Sequence, residues 1–188
     1  MMLSIYICDD IEKQAILIKD EINNYLIFQD WDIKPAAYAT SPHDLFEMIA
    51  GDENTGLYFL DIDLKADIDG FEVAKRLRKK DPRCFIIFLT SHEELAPLAF
   101  KCRIEAMDYI VKNDSHIAMR VRHCLDEAYH RYRLFSKEDE NHLCIRKEYK
   151  DIYIEKKNII SITSSTIPHQ IVICTRDEEL ALYGELKV

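Results

Sequence analysis

Five side chains suited to metal or phosphoryl chemistry each come after a short apolar run of the chain. They are the carboxylates of Asp9, Asp10 and Asp61, the hydroxyl of Thr90 and the ammonium group of Lys112. Three carboxylates held close together raise one another's pKa unless a divalent cation neutralises them, and Mg²⁺ prefers oxygen ligands. The ammonium and hydroxyl groups would share the charge of phosphoryl oxygens. These residue types therefore favour a magnesium-assisted transfer of a phosphoryl group to an aspartate.

Each of these residues also has an ordinary structural interpretation when it is taken alone. Asp9 and Asp10 precede a predicted helix, where carboxylates commonly cap free backbone N–H groups. Asp61 suits a turn or a cap, Thr90 an N-cap, and Lys112 a solvated surface. The joint pattern is more specific than any single residue, because all five are expected at the same edge of one sheet.

The elements that must position these residues form five alternations of strand and helix. Short β-prone apolar runs predict strands at 5–8, 33–38, 57–60, 84–89 and 107–111. Helical spacing of apolar residues predicts helices at 12–28, 42–50, 70–80, within 92–103, and at 115–135. Such a series indicates an α/β fold with a five-stranded, doubly wound parallel sheet. Ligands of these folds bind beyond the carboxyl ends of the strands, where the five residues would lie.

Two helix starts carry more specific signals. Ser41 is a suitable N-cap for the second helix. Pro97 would interrupt a helix that ran from His92, so we expect the fourth helix to begin near residues 94–96 or to be kinked.

The composition and the predicted secondary structure of the chain change after residue 135. Residues 136–141 are polar and charged and are expected to form a linker. From 142 to 188 the sequence has short β-prone runs separated by turn residues, which predicts a mostly β and apparently incomplete second domain. We therefore expect a domain at 1–135 and part of another at 142–188.

Composition limits the classes of protein to which the chain can belong. Of 188 residues 48% are hydrophobic, and the net charge is −9. All of the acidic excess lies in residues 1–141, so the first domain is a poor direct ligand for nucleic acid. There is no membrane-length apolar run or signal-peptide pattern, and the six cysteines show no C-x-x-C spacing. A cytoplasmic protein is expected.

At these positions the sequence resembles the receiver domain of two-component response regulators, which has a flavodoxin/CheY-like fold. The resemblance covers about residues 1–135 and implies that Asp61 is the phosphoacceptor of a sensor histidine kinase. It further implies that Asp9, Asp10 and the backbone carbonyl of Asp63 hold Mg²⁺ together with Asp61. By the same resemblance, Thr90 and Lys112 act at the phosphoryl group, and Thr90 is also a switch residue. Tyr109 would be the aromatic switch residue, and the alternative is that it is an ordinary core aromatic.

The sequence departs from the common receiver pattern in two places. Asn113 follows Lys112, where the family usually has proline, and the loop between Asp63 and Gly70 is about one residue longer than usual. These features, with the runs YFLDIDL, IFLTS and AMDYI, resemble the AgrA/ComE type of regulator. That group implies peptide quorum sensing, homodimerisation on phosphorylation and promoter binding.

In the AgrA/ComE group a LytTR-type DNA-binding domain follows the receiver. The segment 164–186 is similar to the first half of such a domain, and His169 matches a loop histidine that reaches a DNA base. An ordinary turn residue is the alternative for His169. The remaining DNA-contacting loops of the family would lie beyond Val188.

Two alternative functions compete with a DNA-binding regulator. The first is a receiver that serves only as a protein-docking module or phosphate sink. The second is a phosphatase of the haloacid dehalogenase type, because Asp61 and Asp63 after an apolar strand form a D-x-D motif. The order of motifs argues against the phosphatase. In those enzymes the strand with the D-x-D motif comes first, whereas in this sequence Asp9 and Asp10 come before Asp61 and Asp63. A regulator that takes up phosphate is expected instead of an enzyme in the ordinary sense.

Overall fold

The computed structural model describes residues 2–101, 104–147, 150–167, 170–176 and 178–183. Its contacts divide the chain into two compact units, Met1–Tyr132 and Arg133–Val188. The first unit contains strands β1 (Leu3–Cys8), β2 (Ala37–Ala39), β3 (Thr55–Leu60), β4 (Phe85–Thr90) and β5 (Asp108–Val111). The helices are α1 (Glu12–Leu26), α2 (Pro42–Met48), α3 (Gly70–Lys80), α4 (Ala96–Lys101) and α5 (Ile117–Asn141).

The five strands form one parallel sheet in the order β2-β1-β3-β4-β5. The order reverses at β1, which places the crevice outside the carboxyl ends of β1 and β3. This topology confirms the predicted doubly wound α/β fold.

Side chains of alternate strand residues build a hydrophobic core on each face of the sheet. One core joins the sheet to α1 and α5 through buried residues that include Ile5, Ile7, Phe59, Ile22 and Leu125. The other joins it to α2, α3 and α4 through Leu60, Phe88, Leu45, Phe71 and Ala99. Burial on both faces explains why the central strands are apolar throughout.

The predicted second strand, at 33–38, is shorter in the structure. Only Ala37–Ala39 form β2, while Ile33 makes an isolated bridge with Leu3. Pro35 lies between these pairings and has no N–H group to donate to a ladder, which accounts for the interruption.

Both predicted helix starts are confirmed. The Ser41 hydroxyl accepts a hydrogen bond from the backbone N–H of Asp44 and so caps α2. A 3₁₀ turn at Glu93–Leu95 precedes α4, which begins at Ala96, so Pro97 lies in the first turn of that helix. Proline is tolerated there because the first N–H groups of a helix have no partner within it.

The segment 136–141, predicted to be a linker, is helical in the structure and forms the last residues of α5. From Ile117 to Asn141 the sequence has no glycine or proline, and its last six residues include Lys137, Glu138 and Glu140, which favour helices. The boundary between the two compact units falls within α5, after Tyr132.

The described residues of the second unit form five short strands. β6 (His142–Lys147) pairs antiparallel with β7 (Lys150–Glu155). β8 (Ile159–Ser164), β9 (Gln170–Thr175) and β10 (Glu179–Tyr183) form a separate antiparallel sheet in the order β10-β9-β8. A small core of Ile154, Ile173 and Leu182 lies in this unit. Across the described parts of both units, no helix is long and apolar enough to span a membrane.

Candidate functional site

The backbone brings the candidate residues to one edge of the parallel sheet. Asp9 and Asp61 come directly after β1 and β3, and the backbone N–H of Asp61 donates to the Cys8 carbonyl at 2.8 Å. One strand further along the sheet, the N–H of Lys112 donates to the carbonyl of Thr90, also at 2.8 Å. The site therefore depends on the pairing of β1 with β3 and of β4 with β5.

The ammonium group of Lys112 lies between two buried carboxylates. Its Nζ atom is 2.7 Å from Asp9 Oδ2 and 2.5 Å from Asp61 Oδ2. The Lys112 side chain is 9% exposed, and those of Asp9 and Asp61 are 2% and 7% exposed. Charges in such a setting are tolerated only when they are paired, and here Lys112 neutralises part of the charge of the two carboxylates.

The other oxygen of Asp61 is held by the backbone that follows it. Oδ1 accepts hydrogen bonds from the N–H groups of Ile62, at 2.6 Å, and Asp63, at 3.4 Å. These contacts and Lys112 fix both carboxylate oxygens, so the side chain points in a defined direction.

Gly70 supports the same turn from α3. Its N–H donates to the Ile62 carbonyl at 2.9 Å, and a Cβ atom at this position would lie 2.1 Å from the carbonyl oxygen of Asp61. Only a residue without Cβ permits this close approach. Asp69 caps the helix immediately before it, through a hydrogen bond from the N–H of Glu72.

Burial raises the pKa of the Asp9 carboxyl, in spite of hydrogen bonds from Lys112 and from the N–H of Ile11, which lower it. The nearby charge of Asp61 raises it further. The hydrogen bonds from Lys112 and Ile11 therefore only partly offset the cost of burying the Asp9 carboxylate.

The carboxylates also fit a magnesium site. Ligand oxygens of Asp9, Asp10 and Asp61 lie within 4.8 Å of one another, and an all-oxygen set of this charge suits a hard divalent cation. Asp10 Oδ2 also forms an ion pair with Lys65 Nζ at 3.2 Å.

Thr90, His92 and Tyr109 connect the site to the segment that follows β4. The Thr90 side chain is fully buried, and its hydroxyl accepts a hydrogen bond from the N–H of His92 at 3.3 Å. The Tyr109 hydroxyl donates to the carbonyl oxygen of His92. Burial, reinforced by the charges of Glu94 and Asp61, raises the pKa of Tyr109 to about 12, so this hydroxyl stays protonated at neutral pH.

The ring of His92 lies among carboxylates. Its Nδ1 is 2.8 Å from Glu94 Oε1, and its Nε2 is 3.7 Å from Asp63 Oδ2. The contact with Glu94 raises the pKa of His92 above its usual value. The segment after β4 is therefore tied both to the sheet and to the loop that follows Asp61.

Most of the residues proposed from the sequence lie together at this edge. Asp9, Asp10, Asp61 and Lys112 are in mutual contact or proximity, and Thr90 ends the neighbouring strand. The N–H of Asp63 contacts Asp61 Oδ1 at 3.4 Å. His169 lies outside the described residues.

Three residues at the site, Lys65, Gly70 and His92, were not identified from the sequence. A glycine directly after a capping aspartate is a sign of close packing that could have drawn attention to Gly70. Nothing in the sequence singles out Lys65, because its ion pair depends on how the loop folds.

Comparison with known proteins agrees with this geometry. Residues 5–122 match the family model described as the response regulator receiver domain. The chain is 33% identical over 187 residues to accessory gene regulator protein A of Staphylococcus epidermidis, covering 98% of this chain and 79% of the relative. The protein of the same name from Staphylococcus aureus strain N315 is 32% identical over the same shares of both chains.

Solved structures show the same fold at lower identity. A response regulator receiver domain protein from Clostridium thermocellum superimposes with a TM-score of 0.59 at 18% identity, covering 71% of this chain and 99% of that one. The receiver domain of NtrX from Brucella abortus gives a TM-score of 0.55 at 20% identity, covering 67% and 98%. The receiver family matches residues 5–122, and the two relatives align with 98% of the chain. Together with the acidic site beside Lys112, these matches identify the chain as a member of the two-component response regulator family, with an N-terminal receiver domain.

Proposed function

We propose that Asp61 is the phosphoacceptor of this response regulator and that a sensor histidine kinase supplies the phosphoryl group. The ion-pair triad supports this assignment most directly, because Lys112 Nζ lies 2.5 Å from Asp61 Oδ2 and 2.7 Å from Asp9 Oδ2. A fixed cation beside the attacking carboxylate offsets the repulsion between that carboxylate and an anionic phosphoryl donor.

In the proposed transfer, a carboxylate oxygen of Asp61 forms a bond to phosphorus while the phosphorus–nitrogen bond of a phosphohistidine breaks. The leaving imidazole keeps the electron pair and takes a proton from solvent. The N–H groups of Ile62 and Asp63 hold the acceptor side chain in place during the transfer. Lys112 then neutralises part of the charge on the phosphoryl oxygens, and the Thr90 hydroxyl donates a hydrogen bond to one of them.

Asp9, Asp10 and Asp61, with the backbone carbonyl of Asp63, would hold Mg²⁺. When bound, Mg²⁺ supplies positive charge to the phosphoryl oxygens. The clustering of the three carboxylates within 4.8 Å and the raised pKa of Asp9 support this ligand set.

Intact-mass measurement tests the phosphoacceptor. The whole chain with Mg²⁺ and acetyl phosphate should gain a single phosphoryl group, and Asp61→Asn should gain none. Asp63→Asn is the matched control, because it removes a nearby side-chain carboxylate while keeping the backbone carbonyl, and it should still be labelled. Equal labelling of wild type and Asp61→Asn would refute the assignment. Repeated turnover of small phosphoesters would instead favour a phosphatase of the haloacid dehalogenase type.

We further propose that phosphorylation switches the receiver through Thr90 and Tyr109 and promotes a homodimer. Thr90 leads into the 3₁₀ turn and α4, and Lys112 leads into α5, so a ligand at the site can bias the packing of both helices. Sedimentation of the phosphorylated and unphosphorylated chain tests this. Identical mass distributions at tens of micromolar would place the switch within the monomer.

The regulatory output that we propose is promoter binding in peptide quorum sensing, by a cytoplasmic protein. The name of the relatives, accessory gene regulator, supports control of genes. The antiparallel strands after α5 support a division into a receiver at 1–135 and a LytTR-type DNA-binding domain from 142 onward. His169 is the candidate base contact. A receiver that only docks to proteins is the alternative.

A further inference from the structure

We infer that Lys65 competes with Mg²⁺ for Asp10 and so sets the metal affinity of the phosphorylation site. This inference rests on the proposed metal site at Asp9, Asp10 and Asp61. Lys65 would act as a positioning residue, since it holds a carboxylate that the metal requires.

The three carboxylates of the acidic cluster form ion pairs with two different lysine side chains. Lys112 is buried directly after β5 and forms ion pairs with Asp9 and Asp61. Asp10 forms its ion pair with Lys65, whose Nζ lies 3.2 Å from Asp10 Oδ2. Lys112 is held by the sheet, whereas Lys65 comes from the loop between β3 and α3 and is 67% exposed. The two cations therefore differ in how easily they can be displaced.

The backbone at Lys65 gives a second, independent indication. Its φ angle is 43°, in the left-handed region that non-glycine residues rarely adopt. This conformation carries a strain that other interactions must offset. The ion pair with Asp10 is one contact that the conformation makes possible, and it ties the loop after Asp61 to the loop after β1.

Lys65 and a divalent cation need the same group. Mg²⁺ binds carboxylate oxygens at about 2.0 to 2.1 Å. If the metal takes Asp10 Oδ2, it displaces the ammonium group directly. If it takes Oδ1, two cations share one carboxylate and repel each other across a few ångströms. In both cases Lys65 opposes metal binding. When Lys65 leaves its ion pair with Asp10, the loop between β3 and α3 loses this contact.

The expected effect is modest, because the ammonium group of the pair is on a side chain that is 67% exposed to solvent, although the Asp10 side chain is only 13% exposed. Exposed ion pairs contribute little net stability, and their influence is weakened by salt. Removing the Lys65 charge should therefore tighten Mg²⁺ binding by about two- to fivefold at low ionic strength, and by less in high salt. A tighter metal site is a result that a purely structural role for Lys65 would not produce, since a damaged loop would weaken binding.

The experiment is a Mg²⁺ titration of the whole chain, with the dissociation constant taken from backbone amide chemical shifts near Asp9, Asp10 and Asp61. Lys65→Gln removes the charge. Lys65→Gly also removes it, while allowing the left-handed backbone, and so guards against a folding defect. Both should bind Mg²⁺ about two- to fivefold more tightly than wild type. Lys65→Arg keeps the charge and should restore the weaker affinity.

Lys79→Gln is the matched control, because it removes the same charge from an exposed position on α3. If Lys65→Gln and Lys65→Gly bind Mg²⁺ no more tightly than Lys79→Gln, the competition is refuted while the metal site itself stands. Weaker binding in both Lys65 variants would also overturn it. If the wild-type amides at the three aspartates do not respond to Mg²⁺ at all, the proposed metal site fails instead.

Discussion

At the residue scale, Asp9, Asp61 and Lys112 bring charges into a region where each side chain retains less than a tenth of its accessible surface. Lys112 neutralises part of this charge, and burial still raises the pKa of Asp9. The arrangement costs stability, because burying a carboxylate is unfavourable even when it is paired. The proposed function gives a reason for the cost, since an acidic pocket with one fixed cation would accept both a metal and a phosphoryl group.

Lys112→Ala should separate the two roles of the pocket. Because the substitution removes positive charge from the phosphoryl side and leaves all three aspartates, Mg²⁺ binding should persist. The rate of phosphorylation by acetyl phosphate should fall by roughly a hundredfold, as when one preorganised charge-stabilising donor is lost. Phosphorylation rates and Mg²⁺ titrations of the same samples measure both effects. Lys112→Arg keeps the charge and should be less impaired, and unchanged phosphorylation of Lys112→Ala would remove Lys112 from the mechanism.

Asp9→Asn should stabilise the fold at neutral pH. The pKa of Asp9 is higher in the folded chain than in the unfolded chain, so the folded state loses stability as pH rises from about 4 through the folded pKa. The substitution removes that cost and should add about 0.5 to 2 kcal/mol at pH 7, with the gain shrinking below pH 4. Urea unfolding at both pH values measures it.

The control for this prediction is Asp20→Asn on α1, an exposed carboxylate whose loss should change stability little. An Asp9→Asn variant that is less stable than wild type at pH 7 would mean that the pairing with Lys112 outweighs the burial of the carboxylate.

At the element scale, the site is supported by the close packing of α3 against the end of β3. The helix begins at Gly70, and its first N–H donates to the carbonyl of Ile62. At the other end of α3, the guanidinium group of Arg78 donates to the carbonyl oxygens of Pro82, Cys84, Ile104 and Glu105. The helix is thus tied at both ends to backbone that leads into neighbouring strands, which keeps the loop after Asp61 in place.

Gly70→Ala should damage both stability and phosphorylation. A Cβ atom there would lie 2.1 Å from the Asp61 carbonyl oxygen, and the neighbour is backbone that cannot rotate away. We expect a loss of about 1 to 3 kcal/mol, as for overpacked sites, with slower phosphorylation because Asp61 is displaced. Gly51→Ala is the matched control, since no atom lies within 4 Å of its added Cβ. Urea unfolding compares the two, and equal stabilities would contradict the close approach.

At the scale of the whole molecule, charge is distributed unevenly along the chain. The acidic excess lies in residues 1–141, whereas residues 142–188 have equal numbers of acidic and basic side chains. An acidic receiver is repelled by the phosphate backbone of DNA, so any specific binding must come from base contacts in the second unit. Specific binding commonly exceeds non-specific binding by about 4 to 10 kcal/mol, which a single base contact of about 1 to 3 kcal/mol cannot supply.

Promoter binding that relied on His169 alone should therefore be weak. A version extended beyond Val188 with the C-terminal part of the Staphylococcus epidermidis relative should bind the promoter of its own operon specifically. In that version His169→Ala should weaken binding by about 1 to 3 kcal/mol, whereas His130→Ala, at an exposed position on α5, should not. Mobility shifts at fixed salt measure this. Nanomolar specific binding by the short chain would contradict the prediction. An extended chain that does not bind DNA would favour the alternative that the receiver only docks to proteins.

The sequence by itself determined the α/β class, the order of the elements and the five chemically distinctive residues of the receiver. This succeeded because strand and helix periodicities are local, and because parallel strands bring their carboxyl ends to one edge whatever the details of packing. Asp9, Asp61, Thr90 and Lys112 could be placed by counting strands. The sequence was less informative at two segments. At 33–38 Pro35 interrupts the predicted strand, and at 136–141 the polar residues predicted as a linker continue a helix.

Only the tertiary structure decided which groups pair and how closely they approach. The contact of Lys112 with two carboxylates, the ion pair of Lys65 with Asp10, and the space that requires glycine at Gly70 all join segments far apart in sequence. Their geometry depends on loop conformation and on the depth at which each helix packs against the sheet. Those quantities follow from the balance of burial, charge and backbone strain over the whole domain, which no local pattern of residues records.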